Sequence, residues 1–104
     1  MAAIQHMVLV QFQPDVSDEL ISGIYRQLAE LQTLIPGITG FSGGAYASPE
    51  GLNGEYTHGF LVTFESPAAR DVYLPHPEHE RVKAAILPHV VAVVAFDYEV
   101  RDWS

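Results

Sequence analysis

Cysteine is absent from the chain, which removes disulfides, thiolate nucleophiles and Cys-ligated metals at one stroke. Basic residues are scarce: five Lys and Arg stand against thirteen Asp and Glu in 104 residues, a formal net charge of −8 at pH 7. A nucleic-acid partner needs a basic stripe to displace counterions, and an anionic membrane surface needs a basic cluster, so neither is expected. No apolar run approaches the roughly 18 residues of a membrane-spanning helix. The segment Met1 to His6 has no basic n-region, and a cytoplasmic chain is expected. Gly40, Gly43 and Gly44 lack the G-x-G-x-x-G spacing of a phosphate loop, and no G-x-S-x-G nucleophile elbow occurs.

What is present is a globular composition, 48% hydrophobic and 17% charged, short enough for one domain spanning residues 1–104. Ile4 to Phe12 reads as a strand, with Ile4, His6, Val8, Val10 and Phe12 on one face and Gln5, Met7, Leu9 and Gln11 on the other. Ser17 is a helix N-cap followed by Asp18 and Glu19, where the helix dipole favours negative charge. Leu20, Ile24, Leu28, Leu31 and Ile35 then form an apolar stripe that Pro36-Gly37 ends. Ile38 to Ala47 reads as a weak, bent strand, and Ser48 to Gly51 and Asn53-Gly54 as turns. Tyr56 to Glu65 is a strong strand with His58, Phe60, Val62 and Phe64 on one face. Ser66-Pro67 starts a short helix to about Leu74, and Pro77 starts another carrying His79, Val82 and Ile86. Val90 to Val100 closes the chain as an apolar strand before a short polar tail.

The order β-α-β, β-α-β is that of an α+β, ferredoxin-like βαββαβ protomer, a four-stranded antiparallel sheet with helices on one face. Its other face is apolar and bare, so a homodimer packing sheet on sheet is expected.

Candidate chemistry rests on histidine. His6 and His58 lie on strand faces, His76 and His79 flank the start of the last helix, and Tyr73 ends the helix before it. Asp97 adjoins the apolar run Val90 to Phe96, and a buried carboxylate needs a partner such as histidine. If these elements converge, a polar cluster faces a pocket lined by Val8, Val10, Ile24, Leu28, Phe60, Val62, Val82 and Ile86, suited to an aromatic or acyl ligand. The same eight residues also describe a plain hydrophobic core. His76 has an alternative as a helix cap, and His6 as a hydrogen-bonded core residue. His89 is expected to be solvated. A metal site competes for the histidines, but His76 and His79 stand i,i+3, not at the i,i+4 spacing of a zinc helix. No metal and no cofactor are expected.

The segments IQHMVLVQF, LIPGI, EGLNGEYTHGFLVTFES, HPEH and VAFDYEV together resemble the stress-responsive dimeric α/β-barrel (Dabb) family, over Ile4 to about Val100. The resemblance implies the ferredoxin-like protomer paired into a barrel dimer. Many members have no assigned activity. One plant member cyclises a linear polyketide by intramolecular aldol condensation without a cofactor, and its functional positions correspond to His6, His58, Tyr73, His79 and Asp97. By that resemblance His79 is a proton-abstracting base, Tyr73 a donor to an oxyanion, and an Asp97–His79 pair would adjust the base. Leu28 stands where that member has a tyrosine at the inner end of its alkyl pocket, which implies a different substrate. Three functions follow as expectations: a small-molecule-binding domain, a cofactor-independent cyclase or lyase, and a purely structural dimer.

Overall fold

The computed structural model describes residues 2–104. Four strands, β1 (Ile4–Phe12), β2 (Ile38–Ala45), β3 (His58–Phe64) and β4 (Val90–Glu99), form one antiparallel sheet in the order β2-β3-β1-β4. The helices are α1 (Asp18–Leu34), α2 (Pro67–Tyr73) and α3 (Pro77–Ile86), followed by a 3-10 turn at Leu87–His89. β1 and β2 are separated by β3, and β3 and β4 by β1, so each half of the chain is a crossover interleaved with the other. This is the ferredoxin-like fold expected from the element order.

Local chemistry sets the boundaries. The Ser17 hydroxyl accepts from the Leu20 amide at 3.1 Å and starts α1. Ser66 does the same for α2, accepting from Ala69 at 3.2 Å with Pro67 in the first turn. Beyond α1, Gly37 turns the chain with φ 92°, and a Cβ there would lie 2.6 Å from the Cβ of Ala69. Glycine is required on both counts.

The core lies between the sheet and α1. Ile24, Leu28 and Leu31 of α1, with Ile35, pack on Ile4, Val62 and Phe64, while Ala69, Tyr73 and Val82 seal it from α2 and α3. Leu20, the first position of the expected stripe, is exposed on the capping turn. β2 is irregular as anticipated: its register with β3 shifts between Ile38 and Gly40. It ends at Ala45 and β3 begins at His58, both shorter than the sequence pattern indicated, because the intervening segment forms turns. No helix among the described residues is long and apolar enough to cross a membrane.

Candidate functional site

Strand register brings the first two polar groups together. His6 of β1 pairs directly with Asp97 of β4, both on the helix side of the sheet. The His6 Nδ1–H donates to Asp97 Oδ1 at 2.5 Å, since a carboxylate only accepts. The other oxygen of Asp97 accepts from Arg70 Nη1 of α2 at 3.0 Å. Arg70 also donates from Nε to Asp71 at 2.9 Å, so its guanidinium is held by two carboxylates. Burial pushes the Asp97 carboxyl up, but the hydrogen bonds from His6 and Arg70 more than offset it and leave it below its ordinary value.

Asp97 was expected to serve His79 as well, and the structure corrects this. His79 sits on α3, and its Nδ1–H donates instead to the carbonyl of Leu74 at 3.0 Å. That bond leaves Nε2 as the unprotonated nitrogen of the neutral ring. Burial lowers the His79 pKa, nearby Lys83 adds to the effect, and the Leu74 carbonyl and Glu80 only partly oppose it. The His79 ring stacks on Tyr73 with centroids 4.1 Å apart, and the edge of His6 approaches Tyr73 at 6.0 Å. Tyr73 is 1% exposed, and burial pushes its hydroxyl up to about 12. The phenol therefore keeps its proton at neutral pH. Its hydroxyl makes no hydrogen bond among the described residues, and neither does Nε2 of His6 or of His79.

These three rings line one cavity of about 300 Å³ between the sheet, α2 and α3. Val8, Val10, Leu28, Phe60 and Ile86 line it, as the strand and helix faces indicated. Ile24, Val62 and Val82 do not: they are 3%, 3% and 0% exposed and packed into the core beneath α1 and α3. The remaining wall comes from Leu74, Lys83, Leu87, Val90, Val93 and Ala95. The β4 residues escaped the sequence reading although Val93 and Ala95 alternate in step with Asp97, a period-2 signal available in the sequence. Arg70 carried no signal of its own.

His58 and His76 stand apart from this cluster. His58 packs its edge against Phe12 at 5.1 Å, contacts the Thr57 hydroxyl at 2.9 Å, and lines a second cavity at the β2–β3 end of the sheet. His76 is the N-cap of α3: its Nδ1 accepts from the Glu78 amide at 3.1 Å, the bland alternative for this residue. Its ring is committed to the helix and lies outside the cavity wall. His89 is half-buried, and its carbonyl accepts from the Gln13 amide at 2.8 Å. Among the described residues no three His, Asp or Glu side chains gather in a metal-binding group.

The family model of the stress responsive A/B barrel domain matches residues 4–100. The chain belongs to this family. Over 96 residues the Dabb domain described here is 34% identical to the stress-response A/B barrel domain-containing protein HS1 of Arabidopsis thaliana, covering 92% of this chain and 88% of that protein. It is 23% identical over 99 residues to olivetolic acid cyclase of Cannabis sativa, covering 95% of this chain and 98% of the cyclase. Among solved structures, the crystal structure of At3g17210 from Arabidopsis thaliana superposes with a TM-score of 0.92 at 34% identity, over 97% of this chain and 98% of that one. A dimeric ferredoxin-like protein of unknown function from Jannaschia sp. CCS1 superposes with a TM-score of 0.84 at 27% identity, over 94% and 99%.

Proposed function

We propose that this Dabb domain binds a small, largely apolar molecule bearing an oxygen function in the cavity between the sheet and α2–α3. The observation that carries this reading is the cavity itself: about 300 Å³ of space with an aliphatic wall and three aromatic polar groups at one end. Such a site takes an apolar body by burial and orients it through few polar contacts. Filling the space with Leu28→Trp should abolish binding of a neutral apolar fluorophore such as N-phenyl-1-naphthylamine. Equal fluorophore binding by wild type and variant would sink the reading.

A second reading is favoured by the Tyr73–His79 pair. A neutral imidazole with Nε2 unengaged, beside a phenol that keeps its proton, suits ring closure by carbon–carbon bond formation without a cofactor, and one relative, olivetolic acid cyclase, is named as a cyclase. Nε2 of His79 takes a proton from the carbon next to a carbonyl. The resulting enolate carbon attacks a second carbonyl of the same molecule, and the π pair of that carbonyl moves onto its oxygen. The Tyr73 hydroxyl donates a hydrogen bond to this alkoxide, which then takes the proton back from His79. Electrons and protons balance within the substrate and the imidazole. A panel of β-polyketo thioesters tests it: His79→Ala should lower turnover about 10²–10⁴-fold and Tyr73→Phe about 10²–10³-fold. No wild-type turnover on the panel removes this reading and leaves ligand binding standing on the fluorophore titration.

We further infer a homodimer through the open sheet face. Its support is that face itself, on which Met7, Leu9, Val94, Phe96 and Tyr98 are exposed, together with the dimeric description of the Jannaschia relative. A monomeric mass by light scattering at micromolar concentration would refute it.

A further inference from the structure

One stripe of α3 faces the cavity: His79, Lys83 and Ile86 line it, with Leu87 just beyond the helix, as residues three or four apart on one helical face do. Lys83 is out of keeping with the rest of the wall. It is the sole lysine of the chain, and its lining companions are aliphatic, aromatic or imidazole side chains. No Asp or Glu among the described residues lines this space, in a chain that has thirteen of them. The arginines of α2 and α3 are engaged elsewhere. Arg70 is held by Asp71 and Asp97, and Arg81 by Glu78.

Lys83 lines the cavity, yet its Nζ donates at 3.0 Å to Oε1 of Glu80, which does not. A lysine so placed lays its stem on apolar surface and keeps its ammonium at the rim. The side chains of the pair are 46% and 49% exposed, and an ion pair this wet is easily exchanged for another. Glu80 occupies one of the three donors of the ammonium and leaves two. The charge also reaches the polar end of the cavity, one turn back along α3, where it acts on the His79 ring. A purely apolar ligand would lay hydrocarbon against this cation. A ligand ending in a carboxylate would meet it with a charge-assisted hydrogen bond, in space from which the ligand itself excludes water. We propose that the oxygen function of the ligand is a carboxylate and that Lys83 binds it. The cavity then takes an apolar monocarboxylic acid, its acid group at the α3 rim and its chain against Val8, Val10 and Phe60. The inference rests on the ligand-binding reading above and names the ligand class. Glu80 is the built-in competitor of that acid, since both carboxylates seek the same ammonium.

The test compares two probes that differ at the head group, octanoate and 1-octanol. Each is titrated against bound N-phenyl-1-naphthylamine at about pH 7, where a carboxylic acid is ionised. Lys83→Met keeps the stem and removes the charge. It should weaken octanoate about tenfold, the worth of one hydrogen bond to a charged group, and leave 1-octanol unchanged. Glu80→Gln frees the ammonium, and should tighten octanoate about two- to fivefold without moving 1-octanol. Equal octanoate binding by wild type and Lys83→Met would overturn the proposal. Equal losses of octanoate and 1-octanol in that variant would do so too, since shape rather than charge would then be at work. Unchanged or weaker octanoate binding in Glu80→Gln would count in the same way. A wild type that binds the fluorophore but does not release it to octanoate overturns the carboxylate anchor and leaves the apolar cavity standing. A wild type that takes up no fluorophore removes the ligand-binding reading, and the anchor with it.

Discussion

The Asp97 carboxylate is shared between a β1 histidine and an α2 arginine, so one side chain ties the sheet to the helical roof of the cavity. Its lowered pKa carries a stability consequence with a definite sign. The folded protein holds this group ionised to lower pH than the unfolded chain does. The contribution is therefore full above the unfolded value of 3.8 and is lost as pH falls through the folded value. Urea denaturation of wild type and Asp97→Asn should differ most near neutral pH, and the difference should shrink as pH falls below 3.8. His79 has the opposite character: burial favours its neutral form. In an NMR titration its ring protons should shift with a midpoint below 6.5, and its protonation should favour unfolding. Much at this scale was legible in the sequence. His6, Tyr73 and His79 line one cavity, a convergence that the faces of β1 and α3 and the end of α2 made readable. The Asp97 partner was misassigned because cross-strand register is not written in either strand alone. His58 and His76 have the right chemistry, but one lies at the far end of the sheet and the other is spent on a helix terminus.

Among elements, α3 shows how a cap can imitate a site. His76→Ala should cost about 0.5–2 kcal/mol in chemical denaturation, as loss of an N-cap does, while fluorophore binding to the cavity stays unchanged. At the other end of β2 from its register shift, a contact from α1 accounts for one of the glycines. The Tyr25 hydroxyl lies 3.0 Å from both the Gly44 and Gly59 carbonyls, and its ring lies over Gly43, where a Cβ would come within 2.6 Å. Gly43→Ala should therefore lower thermal stability by about 1–3 kcal/mol, the usual cost of overpacking. The glycines announced a weak strand in the sequence. Nothing there announced the tyrosine that requires one of them, since the two residues are 18 positions apart. The main elements were legible because caps, prolines and apolar spacing all agreed. The exact ends of β2 and β3 were not, since β-forming residues such as Tyr46 and Tyr56 continue into the turns.

For the molecule as a whole, the division of charge is as informative as its total. No acidic residue stands among Met7, Leu9, Val94, Phe96 and Tyr98 on the open face through which the proposed homodimer packs. Dimer dissociation should therefore change little between about 0.05 and about 0.5 M salt, a range in which screening strongly alters charged interfaces. A steep salt dependence in sedimentation would mean that another surface carries the association. Apolar residues on both faces of β1 pointed to association from the sequence alone, whereas which residues stand side by side on the open face emerged only with strand order and register.

The carbonyl that fixes the proton on His79 belongs to Leu74, at the joint where α2 hands over to α3. The two helices that roof the cavity therefore also hold the ring's tautomer. The bond spans only five residues across that joint, so the turn between the helices, rather than the sheet, decides which nitrogen of His79 is left without a proton. One short joint thus does two jobs: it ends a helix and it orients a ring toward the hollow beneath it.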